Sequence, residues 1–110
     1  MDIYPVAILN GAIITEDGEY SCRTISLAEA RQRMHAAPAI ISAVGHAATA
    51  EILSDLLAMA VAFNRIDFRQ QAGQSALIFK LNRRPPEGII LSRAEIEAFG
   101  YQFQWLTRHS

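Results

Sequence analysis

Apolar residues recur along this chain in short blocks, and the spacing inside each block sorts it into strand or helix. Ile3 to Leu9 is apolar and β-branched and predicts a first strand, ended by the turn pair Asn10-Gly11. Glu19 to Ile25 alternates and predicts a second strand behind the Asp17-Gly18 turn. Ser26 followed three residues later by Glu29 is a capping-box pattern, so a helix opens there and stops before Pro38. Ala39 to Val44 (AIISAV) is an unbroken apolar run, which suits a buried central strand better than an edge strand. From Ala47 to Ala60, Ile52, Leu53, Leu56 and Leu57 fall on one helical face and Glu51 and Asp55 on the other. Arg65 to Arg69 is a candidate short strand, and Ser75 to Leu81 is a stronger one approached through Gly73. The loop Asn82 to Gly88 holds two prolines, which cannot continue a ladder. Ser92 with Glu95 makes a second capping box for a short helix, and after Gly100 three aromatics alternate with Gln102 and Gln104 in a last strand with one wet face. The expected fold is therefore α/β, with one mixed sheet of five or six strands flanked by three helices, in a single domain over residues 1–110.

Composition adds bounds to this outline. A chain of 110 residues that is 51% hydrophobic and 19% charged has enough apolar surface for one core and for a partner subunit, so homo-oligomerisation is expected. No apolar run approaches the roughly 20 residues that span a bilayer, and MDIYPVAILNG has no basic leader, which together predict a cytoplasmic protein. Cys22 is the sole cysteine, so an intrachain disulfide and a cysteine-based zinc cluster are excluded. Its place in the alternating EYSCRTIS predicts a buried structural thiol. A net charge of −1 argues against coating long nucleic acid. The charge is uneven, however: between Asn64 and Arg93 six basic residues (Arg65, Arg69, Lys80, Arg83, Arg84, Arg93) stand against Asp67 and Glu87. That cluster is either a local anion site or a solvated face.

Candidate chemistry follows from position. His46 comes after Gly45 at the junction of an apolar strand and a helix, where open α/β sheets bind ligands and helix N-terminal N–H groups favour anions. A histidine has an ordinary pKa of about 6.5, so it can give or take a proton near neutral pH. His35 and His109 have weaker cases, and no H-x-x-x-H or H-E-x-x-H spacing supports a metal site. The proline-stiffened loop with Arg83, Arg84 and Glu87 is a second candidate, and Asn64-Arg65 a third, although each also fits a plain exposed loop or turn. No G-x-S-x-G, P-loop or G-x-G-x-x-G is present.

These signals occur in the order and spacing of one family. LNGAII at Leu9 to Ile14, SAVGHAATAEILSDLL at Ser42 to Leu57, FNRI at Phe63 to Ile66 and SALIFKLNRRPPEGIILS at Ser75 to Ser92, with the aromatic tail, resemble the viral anti-CRISPR ring nucleases. Relatives of that family occur in phages, plasmids and bacterial type III CRISPR loci. Its most specific parts here are G-H-x-x-T at Gly45 to Thr49 and R-x-P-E-G at Arg84 to Gly88. The resemblance implies a homodimer that binds cyclic tetra-adenylate across its interface and cleaves it to di-adenylate without metal or cofactor, suppressing type III CRISPR signalling. It also implies that His46 is the catalytic histidine and Glu87 the glutamate beside it. Arg84 and Arg65 would bind substrate, with Asn10, Gly11, Gly45 and Thr49 lining the pocket. Two positions depart: the family often has Ser where this chain has Gly11, and Ser or another residue where it has Ala48. A non-catalytic sponge for the cyclic nucleotide and a phage or host interaction protein are the competing readings.

Overall fold

The computed structural model describes residues 4–11, 14–83 and 91–110. Within them run β1 (Val6–Leu9), β2 (Tyr20–Ile25), α1 (Leu27–Ala36), β3 (Ile40–Ser42), α2 (Ala47–Leu57), β4 (Ser75–Leu81), α3 (Arg93–Phe99) and β5 (Tyr101–Arg108). The strands form one five-stranded mixed sheet in the order β2-β5-β4-β1-β3. β1 is parallel to both β3 and β4, while β5 is antiparallel to β4 and β2. The expected α/β sheet with three helices is thus the observed architecture. Among the described residues no helix is long and apolar enough to cross a membrane.

Strand alternation divides the interior in two. Ile8, Ile25, Leu77, Phe79 and Phe103 face one way and pack with Met34 of α1, Leu53, Leu56 and Leu57 of α2, and Ile96 of α3. Ala7, Leu9, Ala76, Ile78 and Leu106 face the other way, where Phe68 and Ala43 close over them. The first side holds most of the large fully buried side chains, each worth about 1.5–3 kcal/mol when removed from water.

The helix starts obey their caps. Ser92 accepts from the Glu95 N–H while the Glu95 carboxylate accepts from the Ser92 N–H, a complete capping box. Ser26 likewise accepts from the Glu29 N–H at 3.0 Å, but the Glu29 carboxylate turns outward to Arg33 and Arg23, so this box is only half made. α2 stops at Leu57 because Ala58 enters the left-handed region (φ 54, ψ 43), three residues short of the stretch its apolar spacing predicts. The far end of α2 is held by α1: Arg31 donates to the Leu56 carbonyl at 2.6 Å and His35 Nε2 lies 2.8 Å from the Leu57 carbonyl.

Three expectations need correction. The AIISAV run forms an edge strand of three residues, not a central one. It is apolar because both its faces are covered and a later stretch of chain, residues 62–64, lies along its outer edge; hydrophobicity reports covered faces, not ladder position. Arg65 to Arg69 forms no strand, and the only pairing near it is an isolated bridge between Phe63 and Val44. Cys22 is exposed, because β2 is the opposite edge strand and Cys22, paired with Leu106, lies on the sheet face that carries no helix among the described residues.

Candidate functional site

Because β1, β3 and β4 are parallel, their C-terminal ends share one rim of the sheet, the position at which such sheets bind ligands. Ile8 pairs with Ser42 and Leu9 with Ile78, so the residues that follow are nearly level. The Ala43 N–H donates to the Ile8 carbonyl at 2.9 Å and carries the pairing one step further. Asn10 and Gly11 leave β1 as a bend, half-buried, beside the chain that leads to Gly45 and His46. A Cβ on Gly11 would meet no heavy atom of the described residues within 4 Å.

His46 is the N-cap residue of α2, with extended backbone (φ −133, ψ 124) and a carbonyl that accepts from the Ala50 N–H. Its imidazole is exposed and makes no capping hydrogen bond, and no other described residue hydrogen-bonds it. The first turn of α2 contains no acidic residue, which leaves the helix N-terminal N–H groups available to an anion. Thr49 sits in that turn, half-buried.

Arg65 is brought to the same place by the pass from α2 to β4. A Cβ built on Gly45 would lie 3.5 Å from Arg65 Cγ, so the aliphatic stem of the arginine runs over Gly45, next to His46. Arg23, Arg33, Arg69, Arg93 and Arg108 each pair with a carboxylate, whereas Arg65 pairs with none among the described residues. Its guanidinium is exposed.

The remaining candidates divide. Arg84 and Glu87 lie outside the described residues. The start of their loop is fixed: the Asn82 N–H donates to the Gly100 carbonyl at 2.9 Å, and the Arg83 guanidinium stacks 4.6 Å from the Phe99 ring centre. Gly100 is needed there, since its φ is +83 and the Asn82 carboxamide stands 2.5 Å from where a Cβ would be. The other side of α3 is tied to α2 by Arg93, which hydrogen-bonds Asp55 and Glu97; both, Asp55 first, raise the guanidinium above its ordinary pKa and keep it charged. His35 braces α2, and His109 shares a 2.7 Å hydrogen bond with the Ser21 hydroxyl, so neither joins His46. Among the described residues no three His, Cys, Asp or Glu side chains are grouped to hold a metal.

Lys80 is a residue that sequence reasoning counted only as charge. It is the exposed penultimate residue of β4, on the same side as Ile78 and two residues beyond the point where β4 pairs with Leu9 of β1. Its alternation with Ile78 and Leu81 is the signal that singles it out, once β4 is known to lie beside β1.

The sequence profile described as STIV B116-like matches residues 6–103. The protein YddF of Bacillus subtilis (strain 168) is 36% identical over 104 residues, covering 94% of this chain and 96% of its own length. ORF117 of Acidianus two-tailed virus is 33% identical over 107 residues, covering 92% of this chain and 91% of its own. Among solved structures, B116 of Sulfolobus turreted icosahedral virus superposes with a TM-score of 0.72 at 20% identity, over 94% of this chain and 99% of that one; the likeness is one of fold.

Proposed function

The chain belongs to the STIV B116-like family, and from that premise we propose that it is a metal-independent ring nuclease that cleaves cyclic tetra-adenylate to di-adenylate in type III CRISPR signalling. The observation that carries the reading is the exposed imidazole of His46 at the start of α2, with the stem of Arg65 over the adjoining Gly45, neither side chain being paired among the described residues. The motif resemblance from Gly45 to Thr49 supplies the substrate class.

The chemistry uses what RNA itself offers. A ribose 2′-hydroxyl attacks the adjacent phosphorus, its proton passes to solvent or to a base, a 2′,3′-cyclic phosphate forms, and the bond to the 5′-oxygen breaks. His46, protonated, gives its proton to that leaving oxygen. Arg65 and the helix N–H groups bind the phosphate and stabilise the charge that builds on it; Arg84 adds to this and Glu87 orients His46 if the family pattern holds. A ring of four nucleotides has a two-fold axis, so a homodimer would present His46 twice, to opposite linkages, and release two dinucleotides. The absence of hydroxyls at Gly11 and Ala48 changes affinity or rate, and Gly11 is where a hydroxyl would be restored.

The test is incubation of the protein and a His46→Ala variant with labelled cyclic tetra-adenylate in EDTA, with products separated by chromatography. The parent is expected to form di-adenylate, and the variant to lose about 10²- to 10⁴-fold in rate, the range for a lost general acid. A parent that binds the ring without cutting it replaces this reading with the sponge. A parent that does neither removes the cyclic nucleotide as its ligand.

A further inference from the structure

We propose that Asn64 is a positioning residue that seats Arg65 over Gly45; its ligand readout rests on the ring-nuclease reading, and its structural readout does not.

Arg65 stands on a stretch with little apolar anchorage. From Ala62 to Asp67 every residue is exposed except Asn64, which is half-buried, and Phe63 and Ile66 are 53% and 42% exposed. A flexible arginine on an unanchored loop is poorly prepared to grip a phosphate, because ordering it opposes binding. What holds the stretch is a polar clasp on the outer edge of β3, where no further strand pairs. The Asn64 carboxamide donates to the Ser42 carbonyl at 2.7 Å, and the Asn64 N–H donates to the Val44 carbonyl at 2.9 Å. Ser42 answers from its side: its hydroxyl donates to the Ala62 carbonyl at 2.6 Å and accepts from the Val44 N–H at 3.3 Å.

One residue, Asn64, therefore bonds through both side chain and backbone to the two-residue step that precedes Gly45. The residue after Asn64 is Arg65, and the residue after Val44 is Gly45. Fixing the first pair fixes the second, so the arginine stem lies across the glycine that precedes His46. Asn64 itself has no claim on the ligand, and it belongs to neither apolar cluster, so its loss is expected to loosen the arginine without unfolding the protein.

The test is a double-mutant cycle on binding of cyclic tetra-adenylate by calorimetry, in the His46→Ala background so that the ring survives. Asn64→Ala is expected to weaken binding about 5- to 10-fold, the scale of one lost hydrogen bond, and Arg65→Ala by at least as much. The double variant is expected to bind no more weakly than Arg65→Ala alone, since a residue that acts through Arg65 has nothing left to act on. Asn64→Asp, which keeps the shape but loses the donor, should repeat the loss. Additive effects, or unchanged binding by Asn64→Ala, overturn the inference. Should the Asn64 variants fail to fold, Ser42→Ala removes the hydroxyl bond to the Ala62 carbonyl and so loosens the same stretch from its other side; it is expected to weaken binding only while Arg65 is present, and unchanged binding overturns the inference. Should no variant, nor the His46→Ala parent, bind the ring, the ring-nuclease reading falls and the positioning is read without ligand. ¹⁵N relaxation of the Arg65 amide and Nε–H is then expected to show rising mobility in Asn64→Ala, and unchanged order parameters overturn the inference.

Discussion

The two faces of the sheet are covered by different means. On one, α1, α2 and α3 lay Met34, Leu53, Leu56, Leu57 and Ile96 against the large side chains of the strands. On the other, the pass between α2 and β4 crosses small residues such as Ala7 and Ala76 and offers a single large side chain, Phe68. That pass is held by polar links instead. Buried Gln70 donates to the Gln74 and Leu106 carbonyls at 2.7 and 3.0 Å, Gln74 donates to the Pro5 carbonyl at 2.8 Å, and Arg108 donates to the Gln70 carbonyl at 2.6 Å. Apolar area fixes the frame, while a few directional bonds fix the stretch that delivers Arg65. Stability and site geometry are therefore separable in this molecule.

The comparison can be broken by substitution. Leu53→Ala on the helix side is expected to cost about 2–5 kcal/mol of global stability, measured by urea denaturation. Gln70→Ala on the other side should cost about 1–3 kcal/mol, because its carboxamide's two hydrogen bonds, to the Gln74 and Leu106 carbonyls, are lost. Its more telling signature is local: amide exchange should quicken across residues 63–74 while α1 and α2 keep their protection. A larger global loss from Gln70→Ala than from Leu53→Ala would mean that the polar face carries the fold. The smallest effect is a gain. Ala58 holds a left-handed backbone at an exposed helix end, so Ala58→Gly should add about 1 kcal/mol and raise the melting temperature, with no change at the rim.

Legibility in the sequence follows the same division. The helix side announces itself, since Leu53, Leu56 and Leu57 recur at helical spacing and Ser92 and Glu95 stand where a box requires them. His46 was readable for a related reason: it interrupts the change from an apolar run to an amphipathic helix. The far side leaves no period to read. Asn64 and Ser42 are far apart in the chain and polar, and nothing in either neighbourhood says that they meet. The edge placement of β3 was hidden because the chain that covers it lies beyond α2, and Cys22 was misjudged because alternation alone does not say which strands the helices reach.

The parallel pairing that gathers the rim also sets its timing. β1 precedes both its partners in the chain, Ile40–Ser42 on one flank and Ala76–Ile78 on the other. During synthesis β1 can meet β3 first, and its other flank is filled only after β4 has emerged, because β4 occupies the slot between β1 and β5. Contacts so distant along the chain close slowly. The rim that carries Gly11, His46 and Arg65 is therefore completed late, when β4 closes against β1.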